Sequence, residues 1–279
     1  MALDPHSTVI SFSLQVYTFY STLMGTADRA ESLGTSPEQR LEPGLGGRLL
    51  WAGELDATGR VLALAGNISG AATLVATSNT EHQKQAVRDG AVDFVVTSLD
   101  EALRILKNEI RKQKPVAVCV GAALEAVERE MVERGVRPDL IREEIISAAN
   151  RTGLDHGMGE DQDHYPIPDP MAMDALVIWK VEKAAALWLP KLDAVALDCL
   201  EPEDGIARRW IRLAGRYMGR LGHGEHLVRS NREFGARLVE RTREGVARGE
   251  IKVRGLIEMT DGKRVDQYAF GPDPSNVTG

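Results

Sequence analysis

At 279 residues and 30.5 kDa, with 43% hydrophobic residues, the chain can bury a full core as one large domain or two modest ones. A net charge of −7 and a pI near 5.5 argue against a nucleic-acid partner, because phosphate affinity rests on a basic surface. Its two cysteines, Cys119 and Cys199, lie in apolar runs and give no disulfide framework; they read as buried thiols of a reducing compartment, which points to the cytoplasm.

The run from Thr8 to Ala27 is apolar and aromatic but threaded with Ser, Thr, Gln and Tyr. It lacks a basic leader and a small-residue cleavage site, so it reads as core and not as a signal or membrane segment. Ala27 to Gly47 is a polar connection in which Ser36 to Arg40 could start a short helix. Residues 1–47 are thus expected to be an N-terminal segment packed on the core.

From Arg48 to Asp139 apolar segments alternate with helical ones, the pattern of a parallel α/β sheet. Arg48 to Gly53 reads as a first strand. Val61 to Gly66 and Ala72 to Thr77 suit a short helix and a second strand, although short apolar runs do not declare their period and either could be the other element. Glu81 to Asp89 reads as a helix, Val92 to Val96 as a third strand, and Ser98 as the cap of the next helix, with Glu101 completing a capping box. Pro115 to Gly121 is the fourth strand and Ala122 to Arg134 the helix after it. The fold class expected is a Rossmann-like parallel sheet flanked by helices, with its domain over residues 48–150.

In such a fold a ligand lies outside the carboxyl ends of the strands, here the loops after Gly53, Thr77 and Gly121. A pyrophosphate needs glycines so that backbone amides can approach it at a helix N-terminus. The turn here, Gly53-Glu54-Leu55-Asp56-Ala57-Thr58-Gly59-Arg60, sets two carboxylates where a phosphate would sit, with Arg60 and the Thr58 hydroxyl available to offset part of the repulsion. After the second strand, where a ribose-binding carboxylate is usual, stands Thr77-Ser78-Asn79.

The run from Gly53 through Thr77, with Leu99 to Leu103, Pro115 to Gly121 and Arg134-Gly135-Val136-Arg137-Pro138-Asp139, resembles the NAD domain of urocanase (urocanate hydratase). Arg209-Trp210-Ile211 and Arg237 to Ile251 are similar to the helical C-terminal part of that family. The resemblance implies a divergent, shortened homologue: a lyase of histidine catabolism in which NAD acts as an electrophile toward the substrate imidazole. It would place the cofactor against Gly53, Thr58, Gly59, Arg60, Thr77, Gly121 and Ser147, and an anionic substrate on Arg237. The departures are specific. Of the family's glycine-rich loop only Gly59 is kept, its ribose carboxylate falls on Thr77, and its active-site cysteine falls near Leu187 or Trp188. One of its two C-terminal arginines falls on Gly235. Urocanate hydration itself is therefore not expected of this chain.

Beyond Asp139 a helix is expected to run to about Asn150, and residues 151–279 to form a loop plus a helical C-terminal portion completing the core. Arg151 to Pro170 holds His156, His164 and four nearby carboxylates, a mixture that metals accept but without the fixed geometry they require, so it reads as a mobile loop over the sheet edge and no metal is expected. Met171 to Leu189 reads as a long apolar helix stopped by Pro190 and suited to a homodimer contact, and Leu192 to Cys199 as a further strand. Ile206 to Leu221 and Ser230 to Arg248 read as arginine-rich helices, either a wall receiving an anion or solvated faces with ion pairs. Gly222-His223-Gly224-Glu225-His226 between them could serve acid/base chemistry, bind a metal or be a surface turn. Thr260-Asp261-Gly262-Lys263 is a turn between two short strands. Two functions follow: an enzyme binding NAD or a related nucleotide and a small anionic substrate, or a non-catalytic paralogue acting as a ligand sensor or oligomeric subunit. Replacing Gly59 should abolish nucleotide binding under the first and disturb folding only slightly under the second. No membrane partner is expected.

Overall fold

The computed structural model describes residues 5–31, 44–151, 175–218, 221, 224–261 and 264–272. The expected helix start at Ser36, the loop bearing His156 and His164, and His223 lie outside the described residues. The chain divides into two compact units, unit 1 centred on Met1–Leu154 and unit 2 on Asp169–Gly215 and Gly222–Gly279.

Unit 1 opens with helix α1 (Pro5–Glu31) and then alternates strand and helix: β1 (Leu49–Glu54), α2 (Ala57–Ser69), β2 (Ala72–Ala76), α3 (Thr80–Arg88), β3 (Phe94–Val96), α4 (Leu99–Arg111), β4 (Val116–Val120), α5 (Leu124–Glu133), β5 (Leu140–Ile141) and α6 (Arg142–Arg151). The five strands form one parallel sheet in the order β3-β4-β2-β1-β5. The central strands are buried on both faces, so they read as continuous apolar runs without alternation. One face is covered by α4 and α5, whose Leu99, Ala102, Leu103, Leu106, Val127 and Met131 pack on Trp51, Leu74, Val118 and Val120. The other is covered by α2, and α1 lies on the outer side of α2 with its Tyr20, Leu23 and Met24 fully buried.

Sandwiched in this way, α2 is buried at every position from Thr58 to Ser69 except Arg60. A helix covered all round must be apolar all round, which is why Val61 to Gly66 carries no helical period. Its packing is close enough to need glycine. A Cβ on Gly59 would run into the Glu54 carbonyl oxygen and one on Gly66 into the Thr73 hydroxyl, while Gly70 ends the helix at φ 94°. The sheet's amino edge is closed by carboxylates: Asp139 accepts from the Leu49 amide at 2.7 Å and Asp93 from the Ala117 amide at 2.7 Å.

Unit 2 holds β6 (Ala175–Val181), α7 (Ala185–Cys199), α8 (Gly205–Met218), β7 (Glu225–Ser230), α9 (Arg232–Ala247), β8 (Gly255–Thr260) and β9 (Val265–Phe270). Its helices come with a four-stranded antiparallel sheet, order β7-β6-β8-β9, on which α7 and α9 pack. Two expectations are corrected. The centre of the presumed helix Met171 to Leu189 is strand β6, in which Ala175, Val177 and Trp179 are buried, and the basis for a dimer contact through that helix goes with it. The presumed strand Leu192 to Cys199 is the second half of α7, burying Leu189, Leu192, Ala196 and Cys199 at helical spacing. Pro190 lies inside this helix; the Ala186 carbonyl that loses its donor belongs to an exposed residue, which water can serve.

Gly59→Ala and Gly66→Ala should each lower the unfolding free energy by about 1–3 kcal/mol in urea titrations, although alanine is the better helix former. The effect expected of Gly59 is thus larger than the slight disturbance a merely vestigial glycine would give. Burial pushes the Cys119 thiol up to about 12 and also raises that of Cys199. Neither should react with a disulfide reagent at pH 8 until the protein unfolds.

Candidate functional site

The chain leaves β1 toward β2 on one side and returns, after β4, to place β5 on the other side of β1. The strand order reverses at two places, between β1 and β5 and between β4 and β2, and the crevice beyond the carboxyl ends of β1 and β5 is the one that the turn into α2 borders. Two loops build it: Gly53 to Gly59, leading into α2, and the direct step from Ile141 into Arg142 at the start of α6.

Asp56 is the N-cap of α2, and its Oδ1 accepts from the Gly59 amide at 2.7 Å. The side chain thus takes one of the unpaired donors that a phosphate would use at a helix N-terminus. Arg142 then grips this carboxylate from both nitrogens, Nη1 to Oδ1 at 3.1 Å and Nη2 to Oδ2 at 2.8 Å. The same Nη1 donates to the Glu54 carbonyl at 2.9 Å. Gly53, at φ +71°, has no side chain because Arg142 lies over it; a Cβ there would stand 3.0 Å from Arg142 Cδ. The guanidinium is largely buried, its side chain 16% exposed. A fork-shaped pair of this kind is the strong form of ion pair, and it sets the protein's own anion and cation at the crevice, the Asp56 side chain 43% exposed.

The other residues singled out in the sequence are engaged in packing or local hydrogen bonds. Thr58 is buried in the first turn of α2. Arg60, turned away from Asp56, pairs with Asp89 at 3.2 Å. Thr77 is buried and its Oγ1 accepts from the Asn79 amide at 3.2 Å, while its carbonyl accepts from Gln83 Nε2 at 2.8 Å. Gly121 leaves room for that same Gln83 side chain, 3.3 Å from where a Cβ would stand. Ser147 is exposed on α6. Gly53, Thr58 and Gly59 are therefore gathered at the α2 N-terminus, and Thr77 and Gly121 around Gln83. Arg237 belongs to unit 2, on α9, and pairs with Glu201 at 2.8 Å. Sequence reasoning missed Arg142. The available signal was a base in the first turn of a helix, against the helix dipole, beside Glu143 and Glu144.

The group that a nucleotide-type fold implies can be tested against these residues. A pyrophosphate at the α2 N-terminus would have to displace the Asp56 carboxylate from the Gly59 amide and lie beside Glu54. The glycine that could admit it, Gly59, is instead occupied by the Glu54 carbonyl. The residues present do not fit a dinucleotide held by its pyrophosphate at this turn.

Residues 23–153 match the family model of the urocanase Rossmann-like domain. They are a urocanase-family domain. The match covers the whole crevice, including Asp56 and Arg142. The likeness noted at Arg209-Trp210-Ile211 and Arg237 to Ile251 lies beyond the matched span.

Unit 2 contains a second polar cluster. Asp193 of α7 accepts from Trp179 Nε1 at 2.9 Å and faces His226 Nδ1 of β7 at 2.8 Å. His226 stands near Gly215 of α8, where a Cβ would be 3.1 Å from its ring. The imidazole that the sequence offered for acid/base work is thus fixed by packing and by one carboxylate, and among the described residues no group of three potential ligands could hold a metal. The arginine-rich helices resolve into ion pairs and caps: Arg208 donates to the Leu197 and Leu200 carbonyls at the end of α7, Arg241 pairs with Glu244, and Arg248 with Glu250.

A double-mutant cycle on Asp56→Ala and Arg142→Ala, read by urea unfolding, should give about 1–2 kcal/mol for the lost cap and a larger loss for Arg142. A coupling energy above about 0.5 kcal/mol between them is expected. In unit 2, Asp193→Ala leaves two donors without an acceptor and should cost about 2–4 kcal/mol, with Asp193→Asn recovering part of it.

Proposed function

We propose that this urocanase-like protein is a non-catalytic member of its family: its nucleotide-type crevice is closed by its own side chains, and it hydrates no urocanate. The observation that carries the reading is the Asp56 carboxylate on the Gly59 amide, clasped by Arg142. A second supports it. The arginine assigned by resemblance to an anionic substrate, Arg237, faces Glu201, and Gly235, where the family has another arginine, lies against the end of the Met259 side chain. The two free, buried cysteines suit a reducing compartment, and we place the protein in the cytoplasm. No helix among the described residues is long and apolar enough to cross a membrane.

Calorimetric titration of the purified protein with NAD, NADP and ADP tests the reading, together with an extract of denatured protein to find any copurified nucleotide. No heat of binding at millimolar ligand and an empty extract are expected. Micromolar NAD affinity, or NAD carried through purification, would overturn it and direct attention to urocanate and related imidazole acids.

A further inference from the structure

The sheet of unit 2 ends at β9, and among the described residues no strand lies beyond it. Sheets guard such an edge with charges, proline, a bulge, shortness or a covering element, because its free backbone groups invite another strand. Of the local guards β9 has a single charge and no other. It runs six residues without proline, and its ladder with β8 is unbroken from Thr260↔Val265 to Gly255↔Phe270. Its only charge, Asp266, is engaged by Arg232 at 2.9 Å and by Arg264 at 2.7 Å.

The phase of the ladder tells which groups face outward. The Asp261 amide donates to the Arg264 carbonyl at 3.3 Å, so the hairpin closes on a hydrogen-bonded pair. Alternation then makes Met259–Asp266, Ile257–Tyr268 and Gly255–Phe270 the hydrogen-bonded pairs with β8. The backbone N–H and C=O of Val265, Gln267 and Ala269 therefore point to the open edge. Their side chains share one exposed, uncharged face. Asp266 and Tyr268 share the other, and there the Arg243 guanidinium stands over the Tyr268 ring at 5.9 Å.

We propose that β9 pairs antiparallel with β9 of a second copy of this chain, about a twofold axis at Gln267, joining the two four-stranded sheets into a continuous one. In that register Gln267 lies opposite its mate and Val265 opposite the mate's Ala269, so each outward backbone group meets an outward group. Asp266 falls opposite the mate's Tyr268, beside the arginine that covers it, and the symmetry repeats this charge contact at the other end. This self-complementarity is what selects a second copy over an unrelated extended peptide. The surface is independent of the crevice in unit 1, so either account can fail alone.

The test is sedimentation equilibrium combined with amide hydrogen exchange on the full chain. The wild-type protein should be a concentration-dependent dimer in which the amides of Val265, Gln267 and Ala269 are protected. Gln267→Lys sets two like charges on the axis while keeping a partner for Glu258, which Gln267 Nε2 meets at 2.8 Å in the monomer. That variant should be monomeric, with those three amides exchanging freely and those of Asp266 and Tyr268 still protected. A wild-type monomer, or a dimer in which the amides of Val265, Gln267 and Ala269 exchange freely, overturns the proposal. Freely exchanging edge amides in a monomer are also what an edge reserved for another protein's strand would give.

Discussion

Arg142 holds together the carboxylate that caps α2 and the carbonyl at the end of β1, and the ligand edge of the parallel sheet takes its form from that contact. A guanidinium at the start of a helix opposes the helix dipole, and removing it from water is costly without complete partners. Here Asp56 supplies the charge and the end of β1 supplies the acceptor. Because the same carboxylate satisfies the Gly59 amide, the cap, the ion pair and the strand end form one network in which each member holds the others in place. A fold whose crevice ordinarily takes an anion from solution thus contains one of its own.

Packing behind the crevice enforces the closure. α2 lies between the sheet and α1 with almost no exposed residue, so it cannot slide outward to admit a bulkier group at its N-terminus. Gly59 brings the helix onto the Glu54 carbonyl, and Gly53 lets Arg142 lie across the strand end. The glycines that would make a phosphate loop in a dinucleotide domain are used here to bring protein against protein. In unit 2 a single carboxylate ties elements together in a similar way, since Asp193 joins α7 to Trp179 on β6 and to His226 on β7.

Much of unit 1 was legible in the sequence because its signals are local. Ser98 caps α4 as its spacing to Glu101 indicated, the apolar runs ending at Gly53 and Gly121 are strands, and the urocanase likeness matches the domain found at residues 23–153. The two acids in the turn after β1 were visible in the sequence. Their neutralising base was not readable there, since Arg142 arrives from the start of α6, 86 residues further on. Around β6 the difficulty was different. Val177 and Trp179 suit alternation as well as helical spacing, and a run of this length does not choose between them without knowing what covers it. Leu189, Leu192, Ala196 and Cys199 did carry a helical period, masked by giving Pro190 too much weight as a stop. The antiparallel partners of β6 are set by tertiary pairing with distant stretches, Lys180 with Glu225 on β7 and Val181 with Gly255 on β8, which no local pattern encodes.

The most direct test is the Gly59 amide resonance, followed by heteronuclear NMR as pyrophosphate or ADP is added. If the helix N-terminus is filled by Asp56, the resonance should hold the low-field position of an amide bonded to carboxylate and stay unmoved at millimolar ligand, changing only in Asp56→Ala. A saturable shift of Gly59 with added pyrophosphate in the wild-type protein would show that the turn admits an anion after all and would contradict the closed crevice.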